Sequence, residues 1–337
     1  MSRFLLDTLD DALATGIAQF GDSFRTDHAR FVTWRQQADG GFAGRQGGSD
    51  LYYTDFAVRT LRLVAGGGRA IAAARSYLAS LAPRPSNVIE CFNLLNLRRM
   101  LPEEPPRGED DRPRTPPLRR SLRDLGPVLR RQMLPGGGFA SAGGSDRLSV
   151  YQTFLGLLCF GMLGKRPRLP RVLRTLLAHL VGRRFFPDLA AAQAIAALQS
   201  ADGGYCESPG QTQGQTSATA AAIAVLLGCG RLGPDQAKGA VAFLAARQGP
   251  DGGLAAHPGI QAGDLLSTFT GLVASWMMRD RTLSLGAIGR FVRTCARSDG
   301  GFGAMAADPE ADVEYTYYGV ASAALLRHLA GPAPRPV

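Results

Sequence analysis

Lysine is almost missing from this chain, occurring only at positions 165 and 238, so its net charge of +10 is carried by arginine. Many of those arginines crowd into one proline-rich stretch, residues 102–127, and its flanks. A basic balance alone admits nucleic acid, a membrane surface or a phosphorylated substrate as partner. The interleaved aromatic and Lys/Arg motifs of an RNA or DNA module are lacking, and no nucleic-acid partner is expected. Long apolar runs are lacking too. The longest, such as Phe154–Leu163, fall well short of the roughly 20 residues that span a bilayer. The first twenty residues carry Asp7, Asp10 and Asp11 within an amphipathic pattern, which does not fit a secretory leader. The five cysteines (91, 159, 206, 229 and 295) are odd in number, far apart and free of any C-x-x-C. They read as reduced thiols of a cytoplasmic protein, most of them in its core.

What the chain has in excess is glycine, 42 residues of it, in a sequence otherwise full of helical patterns. The excess makes sense where backbone takes positive φ or another chain segment passes close by. Gly-Gly pairs recur in one setting: ADGGF (Ala38–Phe42), GGGF (Gly136–Phe139), ADGGY (Ala201–Tyr205), PDGGL (Pro250–Leu254) and SDGGF (Ser298–Phe302). Their second glycines fall at 41, 138, 204, 253 and 301, so the last two gaps are 49 and 48 and the first is about twice that. One unit has lost its glycines, and the gap of 66 holds one unit and an extra helix.

An amphipathic helix precedes each pair. A loop of about ten residues follows, then an Asp or Gln, then a helix apolar nearly all round, such as Leu265–Met278 or Val313–Leu326. Helices of that second kind are buried on every side. Read along the chain, outer and inner helices pair near 24–37/50–64, 68–82/86–100, 118–133/146–162, 187–200/215–228, 234–247/264–278 and 283–297/312–328, with spare helices at 4–19 and 169–182. The expected fold is all-α, an α6/α6 barrel or toroid of about six outer/inner pairs with Gly-Gly turns, forming one domain over residues 1–337. An N-terminal helix within residues 1–22 packs on the ring, and residues 102–127 form an Arg/Pro-rich surface insertion. An open α-solenoid is the structural alternative.

The string "outer helix, Q-x-x-DGGF, loop, D-x-x-x-T-x-x-A/G, apolar helix" resembles the prenyltransferase and squalene oxidase repeat. The clearest copies are Asp299–Leu326 and Asp39–Leu61, and the resemblance covers residues 24–328. It is the repeat of protein prenyltransferase β subunits and of terpene cyclases. The resemblance implies a central apolar cavity and leaves the reaction open. Aromatic residues near the loop ends of the inner helices suit both a polyprenyl chain and carbocation chemistry, because aromatic faces attract cations. They include Tyr52, Tyr53, Phe56, Tyr151, Phe154, Phe269, Tyr315, Tyr317 and Tyr318. The bland alternative is that these rings fill the interior.

Family members that prenylate proteins hold zinc with D-x-C at the start of one inner helix and a His three residues after the Asp of a later repeat. Two residues after Asp50, Asp146, Gln215, Asp264 and Asp312 stand Tyr52, Leu148, Ser217, Leu266 and Glu314. Three residues after them stand Tyr53, Ser149, Ala218, Ser267 and Tyr315. None is Cys or His, so zinc is not expected at the family position. Cys206 and His257 supply two loop ligands without a third, and no metal residue is assigned. Mg2+ is left open as a cofactor.

The recurring Asp at 50, 146, 264 and 312 is placed to cap an inner helix. Two departures from the repeat carry candidate chemistry. GGFAGRQGGSDLYY, after the first glycine pair, is similar to the family's diphosphate-binding segment, and Arg45 and Tyr53 are the matching residues. DVEYT (Asp312–Thr316) parallels the D-x-D-D-T of class II terpene cyclases, whose middle acid protonates the substrate. Glu314 holds that position, and a Glu on an apolar inner helix needs either an arginine partner from a neighbouring repeat or a raised pKa. The candidate catalytic residues are thus Glu314, Asp312 and Tyr315. The candidate substrate-binding residues are Arg45, Asp50, Tyr52, Tyr53, Tyr151, Phe269 and Tyr317. The functional expectation is an isoprenoid-handling enzyme, prenyltransferase-like, with a polyprenyl or polyprenyl diphosphate substrate in a central apolar cavity. The alternatives are a class II-like cyclase using Glu314, or a non-catalytic toroid that binds a lipid or presents a ring face to a protein partner.

Overall fold

The computed structural model describes residues 2–81, 85–102, 118–141, 146–163 and 187–331. Helix α1 (Ser2–Ile17) comes first and six outer/inner pairs follow. The outer members are α2 (Asp22–Trp34), α4 (Gly68–Ser80), α6 (Leu118–Arg131), α8 (Pro187–Ala196), α10 (Pro234–Arg247) and α12 (Leu285–Cys295). The inner members are α3 (Leu51–Leu63), α5 (Val88–Met100), α7 (Val150–Met162), α9 (Thr216–Cys229), α11 (Leu265–Met278) and α13 (Val313–Ala330). Two short antiparallel strands, β1 (Phe139–Ala140) and β2 (Leu148–Ser149), lead into α7.

The pairs close into a ring. Each inner helix packs against the next, and α13 packs against α3. An open solenoid would leave α3 and α13 apart. The outer layer closes through the glycine turns. At Gly40, Gly203 and Gly252, φ lies between 86° and 91°, and a side chain there would strike backbone of the following outer helix, at Ala73, Gly239 and Ala287. The sixth unit repeats the contact on the first: a Cβ on Gly300 would stand 2.6 Å from the carbonyl oxygen of Asp27 in α2. Next to it, His28 Nδ1 meets the Gly300 carbonyl at 2.5 Å. Glutamine ties neighbouring units in the same place. Gln248 Nε2 donates to Gly252 O within its own turn and to Ser284 O of the next unit, both at 3.1 Å.

The start of each inner helix is built from two side chains. Asp50, Asp264 and Asp312 accept from the backbone N–H groups of Tyr53, Ser267 and Tyr315 at 2.8, 2.7 and 2.8 Å. One turn on, the threonine turns back to the glycine loop: Thr54, Thr153, Thr219, Thr268 and Thr316 accept from the N–H of Phe42, Phe139, Tyr205, Leu254 and Phe302. Asp146 departs from the expected cap. The β2 strand intervenes before α7, Asp146 is exposed, and Ser149 takes the cap by accepting from Gln152 N–H at 3.0 Å. In the unit without glycines, Asn87 caps α5.

One further expectation is corrected. Residues 118–127, assigned to the surface insertion, belong to outer helix α6, which carries Pro127 inside it. The remainder of that insertion from 103 to 117, and the spare helix at 169–182, lie outside the described residues. Helix α1, the N-terminal helix expected to pack on the ring, packs against inner helices α3, α7 and α13 and so lies across one end of the inner ring. Gly16 permits this, because a Cβ there would overlap the Ala324 carbonyl of α13. Ala12, Leu13 and Ile17 enter the same buried core as Phe56, Leu157, Ile223 and Tyr317. The apolar face of α1 finds its burial at the base of the ring, and the loops of the glycine turns surround the opposite end, the mouth.

Candidate functional site

The seam between the last and first units concentrates the charge at the mouth. Asp312 spends one oxygen on capping α13, and its Oδ2 accepts from Arg45 Nε at 2.9 Å. Arg45 also forks onto Asp308 through both terminal nitrogens and donates to the Glu310 carbonyl at 3.0 Å. The guanidinium holds the Asp308 carboxyl at about 2, and Asp308 in turn pushes the Arg45 pKa up. Arg45, expected from the sequence to clamp a diphosphate, has its donors engaged by this chain's own acids.

Arg45, Tyr53, Asp308, Asp312, Glu314 and Tyr315 line one cleft of about 500 Å³. Glu314 stands on the second residue of α13, beside but outside the Arg45 network. Among the described residues it forms no ion pair, and the arginine partner expected for it is taken by Asp308 and Asp312. Its partner is a neutral group, the Tyr52 hydroxyl, which donates to Oε1 at 2.7 Å. Burial raises the Glu314 pKa, and the Tyr52 and Tyr318 hydroxyls oppose the rise. Burial also drives the Tyr52 phenol far up, aided by the carboxyl it faces. Tyr315 is pushed up to about 12 by burial. Burial thus works against the charged form both of the Glu314 carboxyl and of the phenols beside it.

Behind Glu314 the inner helices bring their rings together. Phe56 of α3 contacts Tyr52, Tyr317 and Tyr318, and Phe269 of α11 contacts Tyr317 and Tyr318, with centroids 5.0–5.7 Å apart. Phe56, Phe269, Tyr317 and Tyr318 are buried and fill the α3–α11–α13 side of the interior. Tyr151 of α7 behaves differently. Burial lifts its phenol to about 12, and Arg59, Glu314, Asp55 and Glu207 all act on it, yet 40% of its surface is accessible. Its hydroxyl makes no hydrogen bond among the described residues.

Two residues beneath the aromatic cluster were not anticipated. Asp55 is fully buried and pairs with Arg59 Nη2 at 2.5 Å, one helical turn along α3. Asn96 Nδ2 donates to Asp55 at 2.7 Å, Arg99 Nε donates to Asn96 at 3.0 Å, and Arg99 pairs with Asp10 of α1 at 2.7 Å. The Arg59 guanidinium lies 5.3–5.4 Å from the ring centroids of Phe56, Phe92 and Tyr317. The signal was available as an Asp and an Arg four residues apart on a helix with an apolar face. Asp308 gave no signal, since its loop has no pattern of its own.

The structure thus gathers Glu314, Asp312, Tyr315, Arg45 and Tyr53 around one cleft, with Tyr52 bonded to Glu314 and Phe269 and Tyr317 behind. Asp50 serves α3 as its cap and is not among the lining residues. Cys206 donates to the carbonyls of Gln211 and Gln213, and His257 Nδ1 accepts from Gly259 N–H. None of the five cysteines forms a disulfide, and Cys229 alone is not buried.

Comparison with known proteins adds three findings. The model of the prenyltransferase alpha-alpha toroid domain matches residues 12–177 and 187–335. Similar solved structures include a variant of the type II terpene cyclase MstE from Scytonema bound to its substrate geranylgeranyl dihydroxybenzoate. It aligns over 96% of this chain and 99% of that one, with a TM-score of 0.56 and 13% identity. The same cyclase bound to its product merosterolic acid A gives the same values. A variant of a glycosidase aligns over 94% of this chain and 98% of its own, with a TM-score of 0.54 and 14% identity. No functionally curated protein matches the sequence. Among the described residues, no helix is long and apolar enough to cross a membrane.

Proposed function

This chain belongs to the prenyltransferase alpha-alpha toroid family, and from that premise we propose that it is an isoprenoid-handling enzyme that cyclises a polyprenyl chain, with Glu314 as the acid. The observation that carries the reading is the Tyr52–Glu314 hydrogen bond. It gives an acid on the cleft wall a neutral partner where an arginine would have held it ionised. A protonated carboxyl is the form a general acid needs. A chain bound beside Glu314 would meet the rings of Tyr53 and Tyr315 in the cleft wall, whose faces favour a passing cation.

The chemistry balances without a redox partner. The Glu314 proton adds to one carbon of a distal double bond, whose π electrons form the new C–H bond. The neighbouring carbon becomes a tertiary cation. The next double bond attacks it, forming a ring C–C bond and moving the charge along the chain. The last cation loses a proton to water or a basic group, so substrate and product have the same mass. When the proton leaves Glu314, the hydroxyls of Tyr52 and Tyr318 are in place to stabilise the carboxylate.

The fold does not choose between reactions, since a terpene cyclase and a glycosidase share it. Incubation with a geranylgeranylated aryl acid and with geranylgeranyl diphosphate, read by mass spectrometry, tests the proposal. Cyclisation yields an isomer of unchanged mass, and Glu314→Gln slows it by roughly 10²–10⁴-fold. Release of diphosphate with a product heavier by an acceptor would establish the transferase reading instead, with Arg45 as its diphosphate clamp. Retention of lipid without turnover would leave a binding module.

A further inference from the structure

We infer that the base of the ring holds a second ligand site, separate from the Glu314 cleft, for a long-chain amphiphile with an anionic head. A pocket of about 820 Å³ opens there between α1 and the C-terminal ends of α9, α11 and α13. Its volume lies within the range of pockets that bury small ligands. Glu314 and His328 stand fourteen residues apart on the same helix, which at 1.5 Å per residue is about 21 Å. The two sites therefore sit at opposite ends of the inner ring.

The walls are apolar: Leu5 of α1, Ala224 and Leu227 of α9, Trp276 and Met277 of α11, and Leu329 of α13. Leu227 is 39% exposed, while every residue from Ala218 to Leu226 before it on α9 is buried. The apolar surface is continued inward by the core and covered by nothing among the described residues.

The rim carries two arginines. Arg279, Arg281 and His328 border the pocket with one acid, Asp280. That acid is occupied, accepting from the Thr282 N–H at 3.2 Å and hydroxyl at 2.7 Å. Arg281 donates to the Leu329 carbonyl at 3.1 Å. The Arg279 side chain has no partner among the described residues. Its backbone is left-handed, φ 57°, at the stop of α11, where α9 uses Gly230 at φ 61°. Glycine fills such a stop without strain, and arginine does not. A cation held at this position, above an apolar well, complements a carboxylate or phosphate on a hydrocarbon chain.

The chain has two tryptophans, and one of them lines the pocket. Trp34 is 77% exposed, so Trp34→Phe leaves Trp276 as the sole donor at little cost to the fold. Titration of this variant with 11-(dansylamino)undecanoic acid should give saturable energy transfer from Trp276 at one ligand per chain. Arg279→Ala should weaken binding at least tenfold, and the methyl ester of the probe should bind at least tenfold more weakly than the acid. Leu227→Glu, at a partly exposed position, should abolish binding while its thermal unfolding stays cooperative. Glu314→Gln should bind the probe as the parent does, which separates this site from the cyclisation proposal.

A farnesyl phosphate competitor and vesicles of phosphatidylcholine with phosphatidylglycerol distinguish a soluble amphiphile from a membrane source. Competition by the free phosphate, with no vesicle binding, is the expected result. Absence of saturable transfer, equal affinity for the ester, or binding to vesicles alone would overturn the proposal. So would an Arg279→Ala variant that loses stability with unchanged binding, which would assign the arginine to the α11 dipole.

Discussion

Tyr52 and Glu314 meet across the seam of the ring, the hydroxyl of the first inner helix donating at 2.7 Å to the carboxyl of the last. They are 262 residues apart in the chain. The acid thus faces a neutral partner in a buried setting, while the Arg45 guanidinium is committed to Asp308 and Asp312.

Burial raises the Glu314 pKa above its ordinary 4.5. A raised folded-state value means that the stabilisation is fully present below about 4.5 and is lost as pH rises through the folded value. Glu314→Gln cannot ionise, so its melting temperature relative to the wild type should rise as pH is raised above about 4.5. Tyr52→Phe removes a donor that favours the carboxylate, so the alkaline limb of cyclisation activity should move to higher pH. A limb that moves to lower pH, or stays put, would refute this account of the acid.

Arg45 is a staple of the seam, and Asp308, held at about 2, reports on it. A depressed value gives stability that is present above about 4 and is lost as pH falls toward about 2. Arg45→Ala should cost about 1–3 kcal/mol at neutral pH, leaving Asp312 buried and short of a partner, with solvent screening of the partly exposed guanidinium favouring the lower end. Urea unfolding at two pH values checks both the size and the sign. A loss of activity well beyond the fraction unfolded would point back to a diphosphate clamp.

The glycine turns make a paired prediction. Gly252 (φ 91°) and Gly47 (φ 92°) have nearly the same positive φ, but a Cβ on Gly252 would stand 2.4 Å from the Ala287 carbonyl oxygen, whereas Gly47 faces open space. Gly47→Ala should show the conformational cost alone, of the order of 1–3 kcal/mol. Gly252→Ala should be clearly worse by chemical denaturation, and the difference measures the close approach of successive units. Equal losses would mean that the turn does not hold the next helix.

The Asp55–Arg59 pair is buried under the aromatic cluster, and each partner depends on the other. Burial pushes the Asp55 carboxyl up, while Arg59 and Asn96 pull it back. Asp55→Asn or Arg59→Met should each cost about 3–5 kcal/mol by leaving one charge unpaired. The double variant Asp55→Leu with Arg59→Met should cost much less than the sum. An additive cycle would deny the coupling.

The hairpins, the glycine turns and the buried inner helices were legible because each rests on neighbours within about fifty residues. A left-handed turn needs glycine, a helix start needs a cap, and a doubly buried helix needs apolar residues all round. The resemblance to the family's motifs, rather than local patterning, singled out Glu314, Asp312, Tyr315, Arg45 and Tyr53, which line one cleft. Local reasoning erred at Asp146, since a strand of two residues moved the cap to Ser149, and in running the insertion on to residue 127, over the start of the outer helix that the same patterning places at 118–133. What lay beyond it was every relationship made by closure. Gly300 resting on Asp27, Arg45 drawn to Asp308 rather than left free, α1 laid across the base and Tyr52 set against Glu314 all join distant parts of the chain. No periodicity encodes such pairs, because they come into being only when the sixth unit meets the first.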